Sequence, residues 1–445
     1  MEKSSKKIRY KKGIKLWNRA KELIPGGNQL LSKRAEMFLP DQWPAYYKKA
    51  KGVEVWDLDG NKYVDMSYMS VGAATLGYAD SDVNKAVARA VKHGSISTLN
   101  SPEEVELAEL LLKLHPWAGM VRYARTGGES MAIAVRIARA YSGKDKVAFC
   151  GYHGWSDWYL SSNLSDNKNL DGHLLSGLEP AGVPRVLKGT SFPFRYNHLE
   201  DLKKIIHQHP DIGVIVMEPI RHHEPKKGFL EGARKIADKT GAVLVFDEIS
   251  IGWRLNVGGA HMLYGVRPDI AVFAKAMSNG YPMAAIIGKK GVMQSAQNTF
   301  ISSTYWTERI GPVAALTTIK KMLRLNVPAR LKKTAALIGG GLRKLAQNHN
   351  LKITVDDSVP VVVFSFDYGE RAQALKTLFT QEMLKRGFLA TNAVYVSYAH
   401  KNSHIKKYFK AVDKVFGIIK KAAESEKPEK FLKGPVAHSG FKRLT

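Results

Sequence analysis

Two stretches decide the fold: Ala242-Val-Leu-Val-Phe-Asp-Glu248 and Asp269-Ile-Ala-Val-Phe-Ala-Lys275. Each is a short run of β-branched and aromatic residues ending on a charged side chain, the pattern of a strand buried on both faces of a parallel sheet. Working outward from them, similar runs occur at Met120 to Tyr123, Lys146 to Cys150, Gly213 to Met217 and Ala284 to Ile287. Amphipathic stretches at Glu129 to Tyr141 and Phe229 to Lys239 repeat apolar residues three and four apart and read as crossover helices. The alternation predicts a doubly wound α/β core between Pro116 and Gly288.

Flanking segments read differently. Gly52-Val-Glu-Val-Trp-Asp-Leu-Asp-Gly-Asn-Lys-Tyr-Val64 alternates around Asp59-Gly60-Asn61 and predicts a hairpin. A helical pattern runs from Gly311 through Arg324. Pro360 to Phe366 and Val394 to Tyr398 read as strands of a smaller α+β lobe, closed by a helix through Tyr408 to Ala423. A chain of 445 residues exceeds what one core usually supports. The expected division is an N-terminal segment with helix and hairpin (1–70), a large domain (71–322) and a small C-terminal domain (323–445).

Composition narrows the function classes. The N-terminus, Met1 to Trp17, is charged throughout and lacks the apolar stretch of a secretory signal or membrane helix. The single cysteine, Cys150, excludes an internal disulfide framework and fits a reducing cytoplasm. Lysine and arginine number 68 against 40 acidic residues, a formal net charge of +28. That balance fits a solvated lysine-rich surface or attraction of an anionic substrate, and no zinc, RRM or KH signature points to a specific nucleic acid. His222-His223-Glu224 lacks the spacing of a metal cage and reads as a loop. Ile338-Gly-Gly-Gly341 lies inside a helical pattern and reads as a packing or helix-interruption feature.

Four elements converge on one edge of the predicted sheet, where open α/β sheets bind ligands. Asp247 ends one strand, and an acid there can keep a pyridine nitrogen protonated. Lys275 lies just past the next strand, in an apolar setting that favours a neutral, nucleophilic amine. Thr126-Gly127-Gly128-Glu129 opens a helix with backbone N–H groups suited to a phosphate. Gly151-Tyr152-His153-Gly154-Trp155 follows another strand and offers an aromatic face to a planar ring.

With these residues in view, the chain resembles the class III pyridoxal-phosphate aminotransferases of fold type I, in the branch of glutamate-1-semialdehyde aminomutase. The resemblance runs from Leu16-Trp-Asn-Arg-Ala-Lys-Glu-Leu-Ile-Pro-Gly-Gly27 to Ser397-Tyr-Ala-His400. It is most specific at Phe246-Asp-Glu-Ile-Ser-Ile-Gly-Trp-Arg254 and Gly265-Val-Arg-Pro-Asp-Ile-Ala-Val-Phe-Ala-Lys275. It implies a mainly parallel seven-stranded sheet with a small α+β domain, and pyridoxal 5'-phosphate as cofactor. Lys275 would be the Schiff-base lysine and Asp247 the partner of the pyridinium nitrogen. Thr126, Gly127 and Gly128 would hold the phosphate, Tyr152 would stack on the ring, and His153 and Glu218 belong to the same cofactor set. In Thr304-Tyr-Trp-Thr307-Glu-Arg-Ile-Gly-Pro312, Thr307 matches, by its distance to the proline, the threonine that a neighbouring subunit sends to the phosphate, which implies a homodimer with a shared site.

The departures bear on substrate. Leu389-Ala-Thr-Asn-Ala-Val-Tyr-Val-Ser-Tyr-Ala-His400 lacks the Pro-Ser-x-Phe-Glu pattern of the aminomutase loop, Tyr68-Met-Ser-Val-Gly72 stands where the aminomutase has a tryptophan, and Gly128 replaces the usual Thr or Ser. The expected reaction is therefore ping-pong transamination from an amino-acid donor to an aldehyde or keto acceptor, with an anionic acceptor favoured by the charge. An aminomutase- or racemase-type isomerase is the alternative, and a polyanion binder without catalysis is a third class.

Overall fold

The computed structural model describes residues 11–173, 176–221 and 223–441. The lysines among the first ten residues and His222 of the histidine pair lie outside the described residues. Two compact units are formed, one from residues 1–80 together with 331–445 and the other from residues 81–330.

The first unit opens with α1 (Lys11–Leu23), then β1 (Tyr47–Lys51), β2 (Glu54–Asp57) and β3 (Lys62–Met66). The hairpin forms as expected between β2 and β3. Asp57 closes its turn by accepting the N–H groups of Asp59 and Asn61 on Oδ1. Beyond β3 the backbone takes left-handed angles at Met69, Ser70, Val71 and Gly72 in succession. A β-branched residue rarely adopts that conformation, so the segment stores strain.

The second unit is built on a seven-stranded sheet. In chain order its elements are α2 (Ser81–Lys92), α3 (Pro102–Leu114), β4 (Met120–Ala124), α4 (Gly127–Ser142), β5 (Lys146–Cys150), α5 (Asp157–Leu160), β6 (Ser191–Pro193), α6 (Leu199–Gln208), β7 (Ile212–Met217), α7 (Phe229–Thr240), β8 (Val243–Asp247), β9 (Ile270–Phe273), β10 (Ala284–Gly288), α8 (Lys290–Gln294) and α9 (Ile310–Leu325). The strand order is β4-β10-β9-β8-β7-β5-β6, with β10 antiparallel to both neighbours. The six runs read from sequence are all strands, shifted by a residue or so at their ends. The seventh, β6, has only three residues and ends on a proline, too short a pattern to announce itself.

Alternation along the buried strands splits the core in two. Val243 and Val245 join Phe149, Val214, Val216 and the helix α4 residues Met131 and Ile133 on one face. Leu244 and Phe246 join Ile215, Met217 and the α7 residues Phe229, Leu230 and Ala233 on the other. Each such large apolar side chain contributes about 1.5–3 kcal/mol by leaving water. Because the sheet is covered on both sides, its polar consequences appear only at the strand ends.

Helix α10 (Val327–Asn348) leads back into the first unit, followed by β11 (Ile353–Asp356), β12 (Val361–Phe366), α11 (Ala372–Lys385), β13 (Phe388–Ala390), β14 (Ala393–Tyr395) and α12 (Asn402–Glu424). Strand β13 pairs in parallel with β3, so the N-terminal and C-terminal pieces share one unit. A separate three-stranded sheet runs β11-β12-β14, backed by the packed rings of Phe364, Phe379 and Phe416. Among the described residues no helix is long and apolar enough to cross a membrane.

The triple glycine does not interrupt α10. A Cβ at Gly341 would lie 2.1 Å from the Phe409 ring and one at Gly339 2.1 Å from an Asp357 oxygen, whereas Gly340 faces open space. The run is a packing feature flanking one free position. Gly340→Ala should therefore raise stability by about 1 kcal/mol through helix propensity, and Gly341→Ala should lower it by about 1–3 kcal/mol through overpacking. Urea unfolding midpoints of the two variants check this, and a stabilising Gly341→Ala would refute the packing account.

Candidate active site

All the predicted site segments leave the sheet at one edge, because β4, β5, β7, β8 and β9 point the same way. Ala124 leads into the Arg125–Gly128 turn, Cys150 into Gly151–Trp155, Met217 into Glu218, Asp247 into Glu248 and Phe273 into Ala274–Lys275.

Asp247 is buried and held on both oxygens. Oδ1 accepts the Ile249 N–H at 3.0 Å, and Oδ2 lies 2.9 Å from Nδ1 of buried His153. The other ring nitrogen of His153, Nε2, faces the Cys150 carbonyl at 3.1 Å. The imidazole is gripped through both ring nitrogens, one against the acid and one against the backbone. The histidine thus orients the acid.

Lys275 opens a short 3-10 turn (Lys275–Ser278) with a left-handed φ of 48°. Few non-glycine residues adopt that angle, and strain of this kind concentrates where a side chain must be aimed. Its Nζ donates to Ser250 Oγ at 2.8 Å. Burial lowers the lysine's affinity for its proton, the Asp247 carboxylate partly restores it, Arg254 lowers it further, and Glu218 raises it.

Glu218 is buried and its pKa is raised, chiefly by burial. Its Oε2 takes the Tyr152 N–H at 3.2 Å and pairs with Arg221 Nε at 3.0 Å. Arg221 in turn donates to the His173 carbonyl at 2.7 Å, and His173 Nδ1 accepts the Gly151 N–H at 3.2 Å. Burial pushes the His173 imidazole down to about 4, which keeps it neutral and able to accept. Gly151 has φ 119°, and a Cβ there would meet Glu218 Oε2 at 2.4 Å. This network fixes the loop that carries Tyr152, whose side chain is 40% exposed.

The Thr126–Gly128 turn is the N-terminus of α4. Glu129 Oε2 accepts the N–H groups of Arg125 and Thr126 at 3.0 and 3.3 Å, reaching back as in a capping box. Gly127 packs on Ile249 and Gly128 on Trp155, tying the turn to the β8 and β5 loops. Arg125 donates to the Trp306 and Glu308 carbonyls and pairs with Glu308 at 2.9 Å, anchoring the Thr304–Thr307 turn in the same unit. Thr307 itself is exposed and its hydroxyl donates to the Thr304 carbonyl at 2.8 Å.

Lys275, Asp247, His153, Glu218 and Tyr152 are therefore brought together with the Thr126–Gly128 turn, whereas Thr307 faces solvent. Two participants escape a reading from sequence. Ser250 is one of many serines until its hydroxyl is seen on Lys275, although its place in Asp-Glu-Ile-Ser was a signal. Arg254, almost fully buried, is the other. Glu248, by contrast, turns away from Asp247 and is fully buried against His261 at 2.7 Å, a structural role. Among the described residues no group of three or more His, Cys, Asp or Glu is placed to hold a metal.

A family model described as aminotransferase class-III matches residues 39–407. The chain is 30% identical over 430 residues to the 3-aminobutyryl-CoA aminotransferase of Cloacimonas acidaminovorans (strain Evry), covering 94% of this chain and 99% of that one. It is 31% identical over 418 residues to the glutamate-1-semialdehyde 2,1-aminomutase of Nitrosopumilus maritimus (strain SCM1), covering 88% and 96%. Of solved structures, the FumI protein of Sphingopyxis sp. MTA144 superposes with a TM-score of 0.82 at 24% identity, covering 94% and 99% of the two chains. An omega-transaminase from Sphaerobacter thermophilus gives 0.80 at 23%, covering 93% and 98%. At these identities the structures show a common fold.

The electrostatics of Lys275 yield a test. Its amine should become reactive towards an aldehyde at lower pH than an ordinary lysine, because burial disfavours the charged form. Asp247→Asn removes the charge that holds the proton on, so the midpoint should fall further. Reductive methylation with formaldehyde, followed at residue 275 by peptide mass spectrometry across pH, measures both. An ordinary lysine midpoint, or an upward shift in the variant, would contradict the assignment.

Proposed function

Since the chain belongs to the class-III aminotransferases, a family dependent on pyridoxal 5'-phosphate, we propose that it moves an amino group from an amino-acid donor to an aldehyde or keto acceptor by ping-pong transamination. When bound, the cofactor supplies an aldehyde that receives the amine and a ring that accepts the electron pair released at the substrate carbon.

The residues present fit that group. Lys275 would hold it covalently, and its amine, once displaced by the donor, carries the proton to and from the substrate carbon. Asp247, oriented by His153, would hold the ring nitrogen protonated. Tyr152 supplies a face for the ring on a loop braced by Glu218. The glycine turn at the start of α4 gives backbone N–H groups to the phosphate, with the Thr126 hydroxyl beside them. The observation that carries the reading is the amine of Lys275, aimed by a left-handed backbone, held by Ser250 and lowered in proton affinity by burial, at the same sheet edge as a fixed carboxylate.

Thr307 belongs, in this reading, to a site shared across a homodimer. Phe300 and Tyr305 on the same segment are 94% and 72% exposed, which suits burial against a second chain. The excess of basic residues favours an anionic acceptor. A single buried thiol and the absence of an apolar spanning helix among the described residues suit the cytoplasm. A second reading, favoured by the identity to the Nitrosopumilus aminomutase, returns the amine to the same molecule. The departures at residues 389–400 and 68–72 speak for transfer to a separate acceptor.

Purified protein supplied with pyridoxal phosphate should be yellow and, after borohydride, carry a pyridoxyl adduct on residue 275. Lys275→Ala should lose the adduct and about 10²–10⁴-fold of its turnover. A wild-type protein without the adduct would sink the assignment. An amino donor should bleach the yellow band and excess keto acid restore it with release of a new amine, whereas turnover of one substrate with no net exchange would favour the mutase. Sedimentation should give twice the mass of one chain.

A further inference from the structure

The site holds one residue whose place is unexplained by the reading above. Trp155 is 71% exposed on a loop that is otherwise pressed against the α4 N-terminus. Gly154, with φ 99°, lies so close that a Cβ on it would be 2.7 Å from the Gly128 Cα. Ser156 Oγ contacts the Gly128 carbonyl at 3.4 Å. The loop thereby sets the indole over Gly128, with Cδ1 and Nε1 each 3.1 Å from the point where a Cβ at residue 128 would stand.

That point is where a Ser or Thr side chain would begin. A hydroxyl there would donate to an anion bound at the start of the helix, and Gly128 removes it. The indole N–H borders the vacated volume and is itself a donor. A Cβ at 128 is tight against the ring, so a side chain bearing a hydroxyl there fits only if the indole gives way by a few tenths of an ångström.

We infer that Trp155 binds the cofactor's phosphate through its indole N–H, replacing the hydroxyl that Gly128 lacks, and that Gly128 is glycine because Trp155 crowds the space. The inference rests on the cofactor reading above. Backbone N–H groups of the α4 terminus supply part of the hold, and the indole adds one charge-assisted hydrogen bond from the solvent side. Gly154 is the positioning residue, since any side chain there would lift the loop off Gly128.

The test compares two ligands that differ only in the phosphate. Dissociation constants of pyridoxal phosphate and of pyridoxal are measured by absorbance on the apo-protein for wild type, Trp155→Phe and Gly128→Ser/Trp155→Ala. Phenylalanine keeps an aromatic ring without the N–H, and the exposed position makes misfolding no obstacle. Trp155→Phe should weaken pyridoxal phosphate about tenfold, the worth of one hydrogen bond to a charged group, and leave pyridoxal within about twofold. Gly128→Ser/Trp155→Ala, with the ring cleared away, should recover most of the loss by restoring a hydroxyl. Unchanged affinity for pyridoxal phosphate in Trp155→Phe, or equal weakening of both ligands, overturns the inference alone. Failure of wild type to form a borohydride-fixed adduct at Lys275 overturns the cofactor reading and this inference with it.

Discussion

Parallel hydrogen bonding between β5, β7, β8 and β9 is the interaction on which the site depends. Strands that run the same way end at the same edge, so segments as far apart in the chain as Cys150 and Lys275 deliver their next side chains into one small volume. Both faces of the sheet are sealed by apolar layers, and the polar residues accumulate at the strand ends because only there does the backbone leave the ladder. Placing the N-terminus of α4 at the same edge follows from the crossover connection, which must begin where β4 stops.

Within that volume the balance of charge is tuned by burial. Two carboxylates, Asp247 and Glu218, face one buried lysine, and two guanidiniums, Arg254 and Arg221, sit behind them. Neither acid is left alone: Asp247 is fixed by His153, and Glu218 by Arg221 and the Tyr152 N–H. A buried carboxylate without such partners would be costly. The result is a lysine easily deprotonated beside acids that stay put, a combination suited to moving protons at a substrate carbon.

Glycine governs how closely the loops approach. Gly151 lets Glu218 reach the backbone of the Tyr152 loop, and Gly154 lets that loop lie on Gly128. Each would collide if it carried a Cβ. The loops therefore form one layer over the sheet edge, and changes in one position are felt by its neighbour across the gap.

The chain's own pattern determined the strands, the helices that cross between them and the strand ends where Lys275 and the Asp247-Glu248 pair stand, because buried parallel strands are unbroken apolar runs whose charged ends stand out. It did not distinguish Asp247 from Glu248, which differ in role only because successive side chains leave a strand on opposite faces. It could not show Ser250 on Lys275, nor Trp155 over Gly128, nor β3 beside β13, since each joins residues whose separation in sequence carries no periodic signal. Local composition is written in the sequence. Which charged end meets which partner, and which glycine must stay bare, was decided by three-dimensional packing, where distance in space replaces distance along the chain.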